Sequence, residues 1–131
     1  MSATFPKLTD VQIEWETDRF DGPIHGVASR EGRHYWFAAV FDKAADEYLY
    51  PRRLLLYELS MADLRNETER HRRFEELVGT HSCWHLPAEQ RRLKESTQWD
   101  EFYEWSSRQR KPDLRRSAPI GWFSPDRPRP P

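Results

Sequence analysis

Hydrophobic and polar positions alternate through the first half of the chain. Val11, Ile13 and Trp15 alternate with Gln12, Glu14 and Glu16, the period of two expected of a strand with one buried face. The next polar break holds Asp21, Gly22 and Pro23. Glycine accepts positive φ there and proline fixes its own, so the chain turns. Residues 24–41 then carry two strand-like runs around Glu31-Gly32, which predicts a tight hairpin. In the returning run His34, Trp36, Ala38 and Val40 share one face, and Tyr35, Phe37, Ala39 and Phe41 the other. Both faces are apolar, so this strand is expected to be central and covered on both sides. Residues 42–47 read as a polar turn. Residues 48–59 predict a third long strand, with Pro51 marking an edge, a bulge or a late start.

From residue 60 the period changes. Ser60, with Asp63 three positions on, resembles a capping box in which Asp replaces the usual Glu. Met61, Leu64, Thr68, His71, Phe74 or Glu75, and Val78 follow a 3-4 spacing, and Arg65, Glu69, Arg72, Arg73 and Glu76 fall on the other side. The spacing predicts an amphipathic helix laid on the sheet, with Gly79 at its C-terminal end. Pro87 suits the first turn of another helix over 88–95, although its apolar stripe is thin. Ser96 or Thr97 would cap a last helix whose broad aromatic face is Trp99, Phe102, Tyr103 and Trp105. The expected fold is α+β: a small antiparallel β-meander of three or four strands, then two or three helices packed on one face. Residues 1–110 are read as one domain. Residues 111–131 are read as a Pro/Arg-rich extended tail, anchored by Ile120, Trp122 and Phe123.

Length and composition fit this reading. A chain of 131 residues is one domain's worth. Only 37% of it is hydrophobic, but six tryptophans supply large rings for a core or a binding surface. The formal charge of −1 gives no global field toward nucleic acid or membranes. A net +3 over residues 111–131 is the one local basic stretch. A single cysteine rules out an intrachain disulfide and fits a reducing compartment. No run approaches the ~20 apolar residues that span a bilayer, and the first ten residues lack the pattern of a signal peptide. The expectation is a soluble, cytoplasmic protein with no membrane partner. Arginine far outnumbers lysine, which suggests a GC-rich bacterial genome.

Several constellations bear on chemistry. His81, Cys83 and His85 alternate with Ser82 and Trp84. On an extended segment all three would share one face and offer two imidazoles and a thiolate to Zn²⁺. The triad lacks the paired C-x-x-C spacing of a zinc site. Its plainer reading is a short loop in which Cys83 and Trp84 plug the core. As a nucleophile Cys83 would need a base such as His25 from elsewhere in the fold. Asp18, Asp21 and His25 cluster around the Gly-Pro turn, where an Asp-His pair makes a general base and an aspartate alone caps the turn. Tyr48, Tyr50, Arg52 and Arg53 set arginine beside aromatic rings. That pairing suits anions or single strands, or simple cation–π packing at a sheet edge. Trp36 and Trp122 complete the aromatic candidates for a partner surface.

Trp15, Asp21-Gly22-Pro23, Gly26, Gly32 and Tyr35-Trp36-Phe37 together resemble a group of small uncharacterised bacterial proteins. The resemblance covers about a third of the chain and implies no activity. The spacing suggests a small sheet whose turn supports one rim of a cleft. The function read from all of this is a binding or protein-interaction module with an aromatic and arginine surface. Its partner would be another protein or a second copy of the chain, with no cofactor required. The alternative is a small metal- or thiol-dependent, hydrolase-like enzyme using His81, Cys83 and His85, with His25 and Asp21 as further catalytic candidates. The third is an RNA-binding accessory protein using Tyr48, Tyr50, Arg52, Arg53 and the basic tail, disfavoured by the overall charge.

Overall fold

The hairpin at Glu31-Gly32 forms as a two-residue turn. Glu31 and Gly32 have φ of 52° and 79°, and Arg30 pairs with Arg33 across them. Positive φ at both central residues gives the type I′ turn, whose twist matches that of antiparallel strands. The computed structural model describes residues 5–19, 23–49, 52–80, 87–95, 98–112, 114 and 117–125. The hairpin strands are β2 (Pro23–Arg30) and β3 (Arg33–Ala39). β1 (Gln12–Arg19) pairs with β2 on the outer side. On the other side β3 pairs with β6 (Leu54–Glu58), and β6 with β7 (Gly121–Phe123). All four pairings are antiparallel. β4 (Phe41–Asp42) and β5 (Glu47–Tyr48) make a separate two-stranded sheet.

This corrects the expected meander. The main sheet has five strands in the order β1-β2-β3-β6-β7, and among the described residues two helices form, one of them short. The long strand predicted over 48–59 is broken. Tyr48 belongs to β5, β6 starts only at Leu54, and Pro51 lies outside the described residues. The fifth strand comes from the segment read as a tail. Trp122 exchanges backbone bonds with Pro6 and Leu8 (3.0 and 2.7 Å), so residues 6–8 line up beside β7. From there the chain reaches β1 in four residues, a span of at most ~14 Å. A flat sheet would put ~24 Å between those positions, at roughly 4.8 Å per strand. The sheet is therefore strongly curled. Ile13, Ala28, Tyr35, Phe37, Leu56 and Phe123 fill the inside of the curl, with Leu8, Val11 and Ile120 packed against them.

α1 (Met61–Leu77) starts where Ser60 Oγ accepts the Asp63 N–H at 3.0 Å and ends at Val78, whose N–H bonds Phe74 O. α2 (Trp99–Ser107) has nine residues, and its predicted caps, Ser96 and Thr97, lie outside the described residues. The helix expected over 88–95 is reduced to one 3-10 turn, Ala88–Gln90. The reason is local competition for backbone bonds. Thr80 N–H donates to Arg92 O, Lys94 N–H donates to Val78 O, and Thr80 Oγ1 bonds both Gln90 O and Arg92 N–H. These partners tie residues 90–94 to Val78 and Thr80 in place of a helix.

The helices keep a core of their own: Leu77, Val78 and Phe102, with Phe74, Trp99 and Trp105 around them. The face of α1 that is buried differs from the predicted one. Its buried positions are Asp63, Glu67, Arg70 and Leu77, whereas Met61 is 71% exposed and Thr68 is exposed. Asp63 and Arg70 meet Ser106 of α2 and Arg110 beyond it. Trp15 of β1 stacks on His71 of α1 with ring centroids 4.5 Å apart. Beside that contact the two layers part.

Candidate functional site

The parting between the layers is a cleft of about 500 Å³, continuous with a hollow of about 190 Å³ beneath α1 and α2. Thr17, Asp18, Arg70, Tyr103 and Ser106 line both. A void of this size matches a small-molecule site. One wall is the outer face of the sheet, where His25 and Trp36 stack with centroids 5.4 Å apart. The other wall is helical, with Glu67 and Arg70 from α1 and Tyr103 and Ser106 from α2. Lys111 and Pro112, which follow α2, close one end.

A β-bulge builds the His25 side. The β1–β2 register places Glu16 opposite Gly26 and Asp18 opposite His25, so Thr17 is an extra residue. In a regular strand residues 17 and 18 would point to opposite faces. The bulge re-aims them, and both reach the same imidazole. Thr17 Oγ1 lies 2.5 Å from His25 Nδ1 and donates to His25 O at 3.1 Å. A hydroxyl has one proton, so either His25 O takes it and Nδ1 donates to Oγ1, or Nδ1 takes it. Asp18 Oδ2 stands 3.8 Å from His25 Nε2. Burial holds the His25 pKa below the ordinary histidine range. Asp18 offsets this in part, and Lys111 adds to it. The ring is therefore neutral at neutral pH.

The helical wall is an ionic tie. Arg70 Nε bonds both Glu67 carboxylate oxygens (3.3 and 3.4 Å), Nη1 bonds Ser106 O (2.8 Å) and Ser106 Oγ, and Nη2 bonds Arg110 O (2.8 Å). α2 has no basic residue in its last turn, and Arg70 supplies from α1 the cation that the exposed C-terminal carbonyls attract. Asp63 Oδ1 lies 2.9 Å from Arg110 Nε, an ion pair set off the hydrogen-bond line. Burial pushes the Glu67 carboxyl above the usual carboxylate range, opposed in part by Arg70. Glu67, tied to Arg70, and the His25 imidazole thus line one cleft.

The residues singled out from the sequence are divided by the fold. His25 and Trp36 come together in the cleft with Asp18. Arg52 instead lies 4.9 Å over Tyr48 and donates to Pro23 O. Arg53 lies 4.5 Å over Trp122, whose ring also meets Lys7 at 5.3 Å. Neither pair lines the cleft. Asp21, Tyr50, His81, Cys83 and His85 lie outside the described residues. Among the described residues no three His, Cys, Asp or Glu side chains group to hold a metal, and no helix is long and apolar enough to cross a membrane. Sequence reasoning gave no role to Thr17, Glu67 or Arg70, and it placed Tyr103 on a helix's aromatic face and Lys111 in the basic tail. A threonine beside an Asp-His cluster was the only local signal. No family model, curated protein or solved structure matches the chain, so the roles of these residues rest on the geometry alone.

Proposed function

We propose that the protein is a binding module for a small flat molecule, a ring bearing an anionic group, held in the cleft between sheet and helices. The observation that carries this is the cleft itself. Two layers with separate apolar cores leave a void of about 500 Å³, lined by the His25–Trp36 stack on one side and Tyr103 on the other. Rings offer a flat ligand large contact area at little entropic cost. Tyr103 is 59% exposed and so available to a ligand. Lys111 is exposed, and among the described residues it is in no ion pair, which gives an anionic group a cation to meet. Arg70 cannot serve, because Glu67, Ser106 and Arg110 occupy its donors.

The test is a titration with 2-naphthoate, followed by tryptophan fluorescence. At roughly 0.3 kcal/mol per heavy atom, saturable binding near ~1 mM is expected. Lys111→Met and Tyr103→Ala should each weaken it several-fold, and cyclohexanecarboxylate should bind less well. Linear, non-saturating quenching, or affinity indifferent to both substitutions, would overturn the reading.

A further inference from the structure

We infer that His25 is a general base, and that the cleft removes a proton from a weakly acidic C–H, N–H or O–H on the ring it holds. The inference rests on the small-ligand reading of the same cleft. Three features of the geometry carry it. Thr17 Oγ1 lies within bonding reach of both His25 O and Nδ1, and with its proton on the carbonyl Nδ1 is the donor and the lone pair is on Nε2. Trp36 fixes the ring plane by stacking at 24°. The side chain is 38% exposed and lines the void, so Nε2 is reachable by a ligand. A histidine that served only to fill the core would need none of these.

The charges around the ring suit the task. Asp18 of β1 lies 3.8 Å from Nε2 and stabilises the imidazolium once it forms. Glu67 and Arg70 of α1 face the same void as a tied pair, and Lys111 beyond α2 faces it as a cation. Lys111 therefore opposes a standing charge on His25 and favours the anion left on the ligand. With burial, it keeps the base free at neutral pH, where a general base typically contributes ~10²–10⁴-fold. His25 is the catalytic residue in this scheme and Thr17 a positioning residue.

A probe with a defined reaction tests this without knowledge of the natural ligand. In 5-nitrobenzisoxazole a base takes the C3 proton, that electron pair completes the C≡N bond, the ring N–O bond breaks, and 2-cyano-4-nitrophenolate forms. The proton passes from Nε2 to solvent, and no other reactant is consumed. The wild-type protein should turn the probe over with saturation. The rate should rise with pH through a midpoint below the ordinary histidine range and then level off. His25→Gln should lose at least 100-fold in kcat. Thr17→Val should lower kcat with little change in KM. Nitrogen NMR of His25 should show the neutral ring protonated on Nδ1, an observation that needs no variant. A probe that competes with 2-naphthoate but is not turned over would overturn the base and leave the binding reading standing. So would turnover that survives His25→Gln, or a neutral ring protonated on Nε2. Absence of both naphthoate binding and turnover would overturn both readings.

Discussion

Arg70 holds more of this molecule together than any apolar side chain of α1. Its guanidinium neutralises Glu67, which is 1% exposed, and it satisfies carbonyls at the end of α2. Removing one partner of a buried pair leaves an uncompensated charge, which costs about 3–5 kcal/mol. Arg70→Met is expected to lose that much in urea denaturation at neutral pH. Glu67→Met with Arg70→Met should recover most of it, because the buried charge goes with its partner. The pH dependence has a definite sign. The Glu67 carboxyl already titrates above the usual carboxylate range, and without Arg70 it moves higher. A group whose folded pKa is raised adds stability below its unfolded pKa and loses that stability as pH rises through the folded value. The deficit of Arg70→Met should therefore be largest at neutral pH and shrink toward pH 4. A deficit that did not change with pH would mean that Glu67 is not the charge left behind.

At the scale of elements, what was local in the sequence could be read and what depended on pairing could not. Ser60 caps α1 through a bond three residues away, and the Glu31-Gly32 turn needs only its two strands. Both were legible. The α1 stripe was not, because the apolar spacing of Met61, Leu64 and Thr68 outweighed the charged spacing of Asp63, Glu67 and Arg70 that is buried instead. Buried charge becomes visible only once the groups that meet it, here Arg110 as the cation beside Asp63 and Ser106 as an acceptor for Arg70, are known to be near. The Thr17 bulge likewise depends on register with β2. Gly26 opposes Glu16 next to that bulge, and a Cβ there would lie 2.2 Å from Trp15 O and 2.9 Å from the Phe37 ring. A backbone oxygen cannot rotate away, so Gly26→Ala must push β1 off β2. The expected cost is about 1–3 kcal/mol, the usual range for overpacking. Because β1 carries Thr17 and Asp18, the imidazole signals of His25 should shift with it. A Gly26→Ala protein of unchanged stability and unchanged His25 spectrum would mean that β1 is free to shift.

For the whole molecule the question is where the fold ends, and the sequence and the structure divide the chain differently. A proline-rich segment reads as a tail because proline cannot donate to a ladder. Residues 121–123 contain no proline, and such a short strand is defined only by distant partners. Phe123 packs edge-on against Phe37 at 6.0 Å inside the curl. Leu54, Leu55 and Leu56 pair with Phe123, Trp122 and Gly121. Trp122 in turn binds Pro6 and Leu8 through its backbone, so β7 is the piece that lets residues 6–8 complete the curl. Deleting residues 117–131 would strip the β6 edge, open the first core beside Leu54 and Leu56, and free the N-terminal segment. Burial of one phenylalanine is worth about 1.5–3 kcal/mol. With the lost packing of Leu8 and Ile120, the total is a large share of the 5–15 kcal/mol that typically holds a domain. The shortened chain is therefore expected to unfold at much lower urea than the full chain, or to lose its single sharp transition. A chain ending at Pro125 keeps β7 and should unfold like the full one. If residues 1–116 unfold at the same urea concentration as residues 1–131, the domain ends before β7 and the curl closes without it.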